Sequence, residues 1–144
     1  MDNQRDRRSI VLLTTVSVLA HLVISIVHGR AHESLAVGLS TWQNSYVLTV
    51  IVIAPLIAMV LIWTRLARTG LLLLVISMAG SLIFGVVYHY VVISPDHVSH
   101  IPPGEAQGLF RTTALLLVLT ELFGVAVGVW GLRKVRTNPL KRQY

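Results

Sequence analysis

His28 and His32 stand four residues apart in the run His28-Gly29-Arg30-Ala31-His32-Glu33, at the end of the first apolar stretch of the chain. On a helix that spacing stacks two imidazoles on one face, one turn apart, where both can reach a single ion. Four more histidines follow the same theme: His21 two turns earlier in the same stretch, His89 at the end of the third apolar segment, and His97-x-x-His100 in a proline-flanked loop beside Asp96. Imidazole with carboxylate is the ligand set of zinc, copper(II) or non-haem iron. The chain has no cysteine, which excludes disulfides, thiolate metal sites and iron-sulfur clusters.

The elements that must position these side chains are apolar helices. The composition is 54% hydrophobic and only 12% charged over 144 residues, with a mean hydropathy of +0.73, far from that of a soluble globular domain. Four segments, about 10-29, 45-64, 71-93 and 112-132, contain no Asp, Lys or Arg, and each is near the ~20 residues that cross a bilayer as a helix. The expectation is an all-α integral membrane protein: a single multi-pass domain over 1-144, built as an up-down bundle of four transmembrane helices with no room for a separate soluble domain.

Charge placement orients that bundle. Arg5, Arg7 and Arg8 precede the first segment, Arg65 and Arg68 separate the second and third, and Arg133, Lys134, Arg136, Lys141 and Arg142 follow the fourth. Ten of the twelve basic residues therefore fall on one side, leaving Arg30 and Arg111 on the other, and the positive-inside rule makes both termini cytoplasmic. The net charge of +6 is accounted for by topology and contact with anionic lipid in the bilayer, without a nucleic-acid partner. The basic tail from Arg133 is expected to be disordered at the lipid surface. An alternative reading of the N-terminus is a signal peptide, since Arg5 to Arg8, the apolar run and the small residues Gly29 and Ala31 resemble one cleaved before His32.

This topology puts His28, His32, His89, His97 and His100 at or beyond the extracytoplasmic boundary, together with Glu33, Asp96 and Glu105, while the cytoplasmic segments hold no histidine. A metal site built from His28, His32, His89, His97 and His100, with Asp96 or Glu33 assisting, is the first expectation. The bland alternative is a set of interfacial imidazoles that bond to loop backbone or respond to pH without metal. Haem b is a further candidate, held between axial His28 or His21 and His89, with Gly85 leaving space one turn before His89.

Tracing back along the first segment, Thr14, Ser17, His21, Ser25, His28 and His32 recur at steps of three or four and share one stripe. Ser77, Ser81, Gly85 and Tyr88 do the same on the third segment. Glu121, the one carboxylate within the four segments, lies about 15 Å inward from Arg111, and His21 lies about 13 Å inward from Arg30, at 1.5 Å per helical residue. Their matched depth predicts that Glu121 faces the interior and either pairs with His21 or stays protonated, as a proton-handling pair or a polar clamp. Pro55 is expected to kink the second helix. Ser94-Pro95 is expected to end the third, and Gly124 and Gly128 to bring helices close.

Neither membrane fatty-acid hydroxylases nor dihaem cytochromes b match this pattern: the former carry more histidines on the cytoplasmic side, the latter histidine pairs near both faces. Two functions follow from the residues. One is a metal-binding membrane protein serving redox or metal-handling chemistry. The other is a non-catalytic subunit of a larger membrane complex or homo-oligomer, in which the histidines and Glu121 set packing.

Overall fold

The computed structural model describes the backbone of residues 2–137 and the side chains of residues 4–135. Four long helices make up the chain: α1 (Asp2–Ser34), α2 (Thr41–Ile62), α3 (Ala67–Val91) and α4 (Gln107–Thr137). All four are long and apolar enough to cross a membrane. They run up and down, α4 packing on both α1 and α3, and α2 on α3. An ion pair of 3.1 Å between Asp6 and Lys134 ties the start of α1 to the end of α4, which defines a terminal end of the bundle and, opposite it, a distal end.

α1, α3 and α4 each turn a polar stripe inward. Thr14, Ser17 and His21 on α1, Ser77 and Ser81 on α3, and Glu121 on α4 are all at most 2% exposed, while Leu12, Val23, Ile76, Ile83 and Leu119 point outward. Such an inverted arrangement suits a lipid environment, where apolar surface needs no burial and polar groups do. Close approach is bought by small residues: a Cβ at Gly128 would lie 2.6 Å from Val75 Cγ2, and one at Gly124 2.9 Å from Met78 Cγ, so the α3–α4 crossing depends on both glycines.

The helix ends differ from the sequence expectation in informative ways. α2 begins at Thr41, inside the expected loop, because Ser40 and Gln43 form a reciprocal cap: Ser40 Oγ accepts from the Gln43 amide and the Gln43 side chain accepts from the Ser40 amide. In place of a simple proline kink, α2 widens to π-helical turns over Val47–Ile53, with the Ala54 amide donating to the Thr49 carbonyl five residues back. Pro55 then falls in the first turn of the regular portion Ala54–Ile62, where its missing N–H goes unused.

α3 ends at Val91, ahead of Ser94-Pro95, in a second π-helical turn, Val87–Val91. α4 starts at Gln107 and continues as helix through Thr137, so Arg133 and the residues just after it extend a helix where a disordered tail was expected. Lys141 and Arg142 lie outside the described residues.

Candidate metal centre

The distal end of the bundle gathers three imidazoles from two helices. His28 and His32 come from the last two turns of α1. His89 comes from the π-helical turn of α3, where the widened backbone places it toward α1; such turns recur at functional sites. Nε2 of His28 lies 3.2 Å from Nε2 of His89 and 3.2 Å from Nε2 of His32, and one ligand nitrogen from each of the three falls within 4.8 Å of the other two. A tetrahedral ion with metal–nitrogen bonds of about 2.0–2.1 Å needs ligand nitrogens about 3.3 Å apart.

The rear nitrogen of every ring has an acceptor. His32 Nδ1–H donates to the Val37 carbonyl at 3.1 Å, and His89 Nδ1–H donates to the Asp96 carbonyl at 3.1 Å. His28 Nδ1–H donates to Thr113 Oγ1 at 2.8 Å, whose own hydrogen goes to the Leu109 carbonyl at 2.7 Å. A carbonyl oxygen only accepts, and the Thr113 hydroxyl has its hydrogen committed, so these bonds place a proton on Nδ1 of each ring; a ring that carries no second proton then has its lone pair on Nε2. In those tautomers three Nε2 lone pairs converge, with His28 Nε2 3.2 Å from each of the other two; a proton on one Nε2 would turn either contact into a hydrogen bond, and a cation would serve all three lone pairs at once. The rear bonds are the partners that fix tautomer and orientation in metal-ligating histidines.

Local backbone explains the acceptors. α1 closes with the Val37 amide bonded to the His32 carbonyl at 3.0 Å and the Ala36 amide to the Glu33 carbonyl at 3.1 Å, a Schellman turn that swings the Val37 carbonyl over His32. Ala36 sits at φ 52° to allow it, a left-handed position that glycine usually fills. The loop after α3 folds back through the Val98 amide to the His89 carbonyl, 2.9 Å, and Arg111 Nε donates to the Val98 carbonyl at 2.8 Å. Asp96 is thereby carried beside the rings.

Asp96 is 6% exposed, with Oδ1 3.3 Å from His32 Nε2 and 3.2 Å from His89 Nδ1. Neither approach has hydrogen-bond alignment, and both carboxylate oxygens lack a hydrogen-bond partner among the described residues. A buried carboxylate without donors is costly unless a cation sits near it. Phe110, fully buried, packs its ring against all three imidazoles at centroid distances of 4.7, 4.8 and 5.4 Å. With Ala31, Leu35, Val37 and Ile101 it forms an apolar cap over the site.

No protein-family model matches the chain, and no curated protein or solved structure is significantly similar to it.

Of the sequence-derived candidates, the structure brings together His28, His32 and His89, with Asp96 at the edge. His97 and His100 are elsewhere, facing each other with Nδ1 atoms 3.3 Å apart and bridged by the Ser99 hydroxyl, because the loop turn that delivers Asp96 points its neighbours outward. Glu33 is spent on Arg30 at 2.9 Å on the exposed face of α1, a quarter turn off the ligand stripe.

His21 does not reach the cluster. Its Nε2 lies 3.2 Å from Glu121 Oε1, both groups almost fully buried. A haem between His28 and His89 does not fit. Two axial nitrogens on one iron stand about 4 Å apart at bonds of about 2 Å, and the 3.2 Å contact with rings edge to edge, centroids 4.9 Å apart, leaves no slot for a macrocycle.

Thr113, Phe110 and Val37 carry roles that sequence reasoning missed. Phe110, Thr113, Leu117, Glu121, Gly124 and Gly128 recur at steps of three or four on α4. Extending the Glu121 stripe outward would have found the first two. The Val37 carbonyl has no sequence signal, since any residue supplies one.

Proposed function

We propose that this chain is a small polytopic membrane protein that holds a divalent transition-metal ion, zinc or copper(II) by ligand chemistry, on His28, His32 and His89. The observation that carries the reading is the convergence of one ligand nitrogen from each of three buried imidazoles within 4.8 Å, each ring having a hydrogen-bond partner on its far nitrogen. Three imidazoles leave an ion with an open fourth position, the mark of a working site rather than a structural one. The Asp96 carboxylate supplies compensating charge. Redox chemistry or metal handling is the role this supports, over a subunit in which the histidines only set packing.

The charge asymmetry supports cytoplasmic termini, and hence a site on the extracytoplasmic side of the membrane, with both signs of evidence independent of the ligand geometry.

Equilibrium dialysis of protein lacking an affinity His-tag tests the reading. One Zn2+ or Cu2+ should bind per chain, and alanine at His28, His32 or His89 should weaken binding by more than about 100-fold. The double variant His97→Ala/His100→Ala should bind as the wild type does. Substoichiometric metal, or equal loss from the His97/His100 variant, overturns it.

A further inference from the structure

The open side of the trio gives onto a cavity of about 470 Å3 that runs from His28, His32 and His89 down to Glu121. Its walls are chiefly apolar: Val47 and Ile51 of α2, Phe84 and Gly85 of α3, Leu117 of α4. The cavity exists because α2 diverges. Its Ala54–Ile62 portion packs on α1 as well as α3, whereas its distal half leans on α3, where Trp42 and Tyr46 meet Phe84 and Tyr88. The distal half thus stands away from α1, opening the cavity sideways between two helices whose outer faces are lipid-compatible.

At the floor is an unanswered polar group. Glu121 is 2% exposed, its Oε1 engaged by His21, and its Oε2 has no hydrogen-bond partner among the described residues. Ser25 Oγ, also lining the cavity, is likewise unpartnered. Gly85 keeps the space between floor and metal trio clear: a Cβ there would be 3.9 Å from Glu121 Oε2 and 4.0 Å from His89 Cδ2. One small group placed at that point touches both.

We propose that the cavity binds a membrane-soluble amphiphile bearing a hydroxyl, which enters between α1 and α2. The hydroxyl oxygen fills the ion's open position, its hydrogen is donated to Glu121 Oε2, and the apolar body lies against Val47, Ile51, Phe84 and Leu117. A hydroxyl offers a lone pair to a cation and a hydrogen to a carboxylate at once. Water does so too, but leaves the apolar walls uncovered. This inference rests on the metal reading and adds the ligand class to it.

The full chain in detergent, loaded with Co2+ as a spectroscopic stand-in, is titrated with 4-decylphenol while the visible absorption of Co2+ is followed, with decylbenzene as the control lacking the hydroxyl. The phenol should shift the spectrum saturably and decylbenzene should not. E121Q, which keeps the shape, should weaken the phenol at least tenfold, and G85L should abolish the shift, both with Co2+ affinity unchanged. G85A, whose Cβ meets only ordinary contacts, controls for folding and should retain metal.

Equal binding of phenol and decylbenzene would make the cavity an acyl-chain crevice. An unchanged spectrum, or phenol affinity within twofold of wild type in E121Q, would also overturn the inference while leaving the metal reading intact. Failure of the wild type to bind Co2+ at all would remove both.

Discussion

At the scale of single residues, the decisive feature is which nitrogen of each ring carries the proton. The Val37 and Asp96 carbonyls and the Thr113 hydroxyl favour a proton on Nδ1 of His32, His89 and His28. Of the three, only Thr113 is open to side-chain substitution. Thr113→Val keeps the shape, removes the acceptor behind His28 and frees that ring to turn or change tautomer, so metal affinity should fall 10- to 100-fold with little change in fold. Competitive chelator titration measures it. The ligand types were legible from the sequence, because histidine and aspartate are chemically rare in apolar segments and stand out. Their selection was not: His97 and His100 carry the same chemistry as His89, and only the fold-back of the loop onto the His89 carbonyl decides that Asp96 goes in and its neighbour stays out.

At the scale of elements, periodicity predicted the buried Thr14, Ser17 and His21 of α1 and Ser77 and Ser81 of α3, but not the distal end of α3, where the π-helical turn buries His89 and leaves Tyr88 half-buried against Trp42 and Phe84. Boundaries and local widening were less legible. The Ser40-x-x-Gln43 cap was there to be read, whereas the π-helical turn that presents His89 has no residue signature in Val87–Val91.

The left-handed Ala36 that closes α1 is strained by roughly 1 kcal/mol relative to glycine. Ala36→Gly should therefore raise stability by about that amount while leaving metal affinity unchanged, a pairing that thermal unfolding and dialysis together resolve. The helix crossings give a contrast in the other direction. Gly128→Ala drives a Cβ into Val75 and should cost about 1–3 kcal/mol. Gly29→Ala meets nothing within 4 Å and should be neutral or stabilising by about 0.5–1 kcal/mol. Denaturation in the same detergent compares the two.

At the scale of the whole molecule, four spans were plain from hydropathy, and the pairing of α4 with both α1 and α3 explains why His21 and Glu121 meet at matched depth. Sidedness rests on the basic residues, ten of twelve of which precede the first apolar segment, separate the second and third, or follow the fourth in the sequence. Because the chain has no native cysteine, it can be tested directly. In intact cells a membrane-impermeant maleimide should label Ser99→Cys and leave Thr64→Cys unlabelled until the membrane is broken; the reverse pattern would put the histidine trio on the cytoplasmic face.

The central claim is that His28, His32 and His89 bind one ion through Nε2. X-ray absorption at the metal edge of tag-free, metal-loaded protein tests it most directly. Three imidazole nitrogens at about 2.0–2.1 Å plus one oxygen donor are expected, falling to two imidazoles in His89→Ala. A spectrum without imidazole scattering, or one unchanged in His89→Ala, would contradict the account.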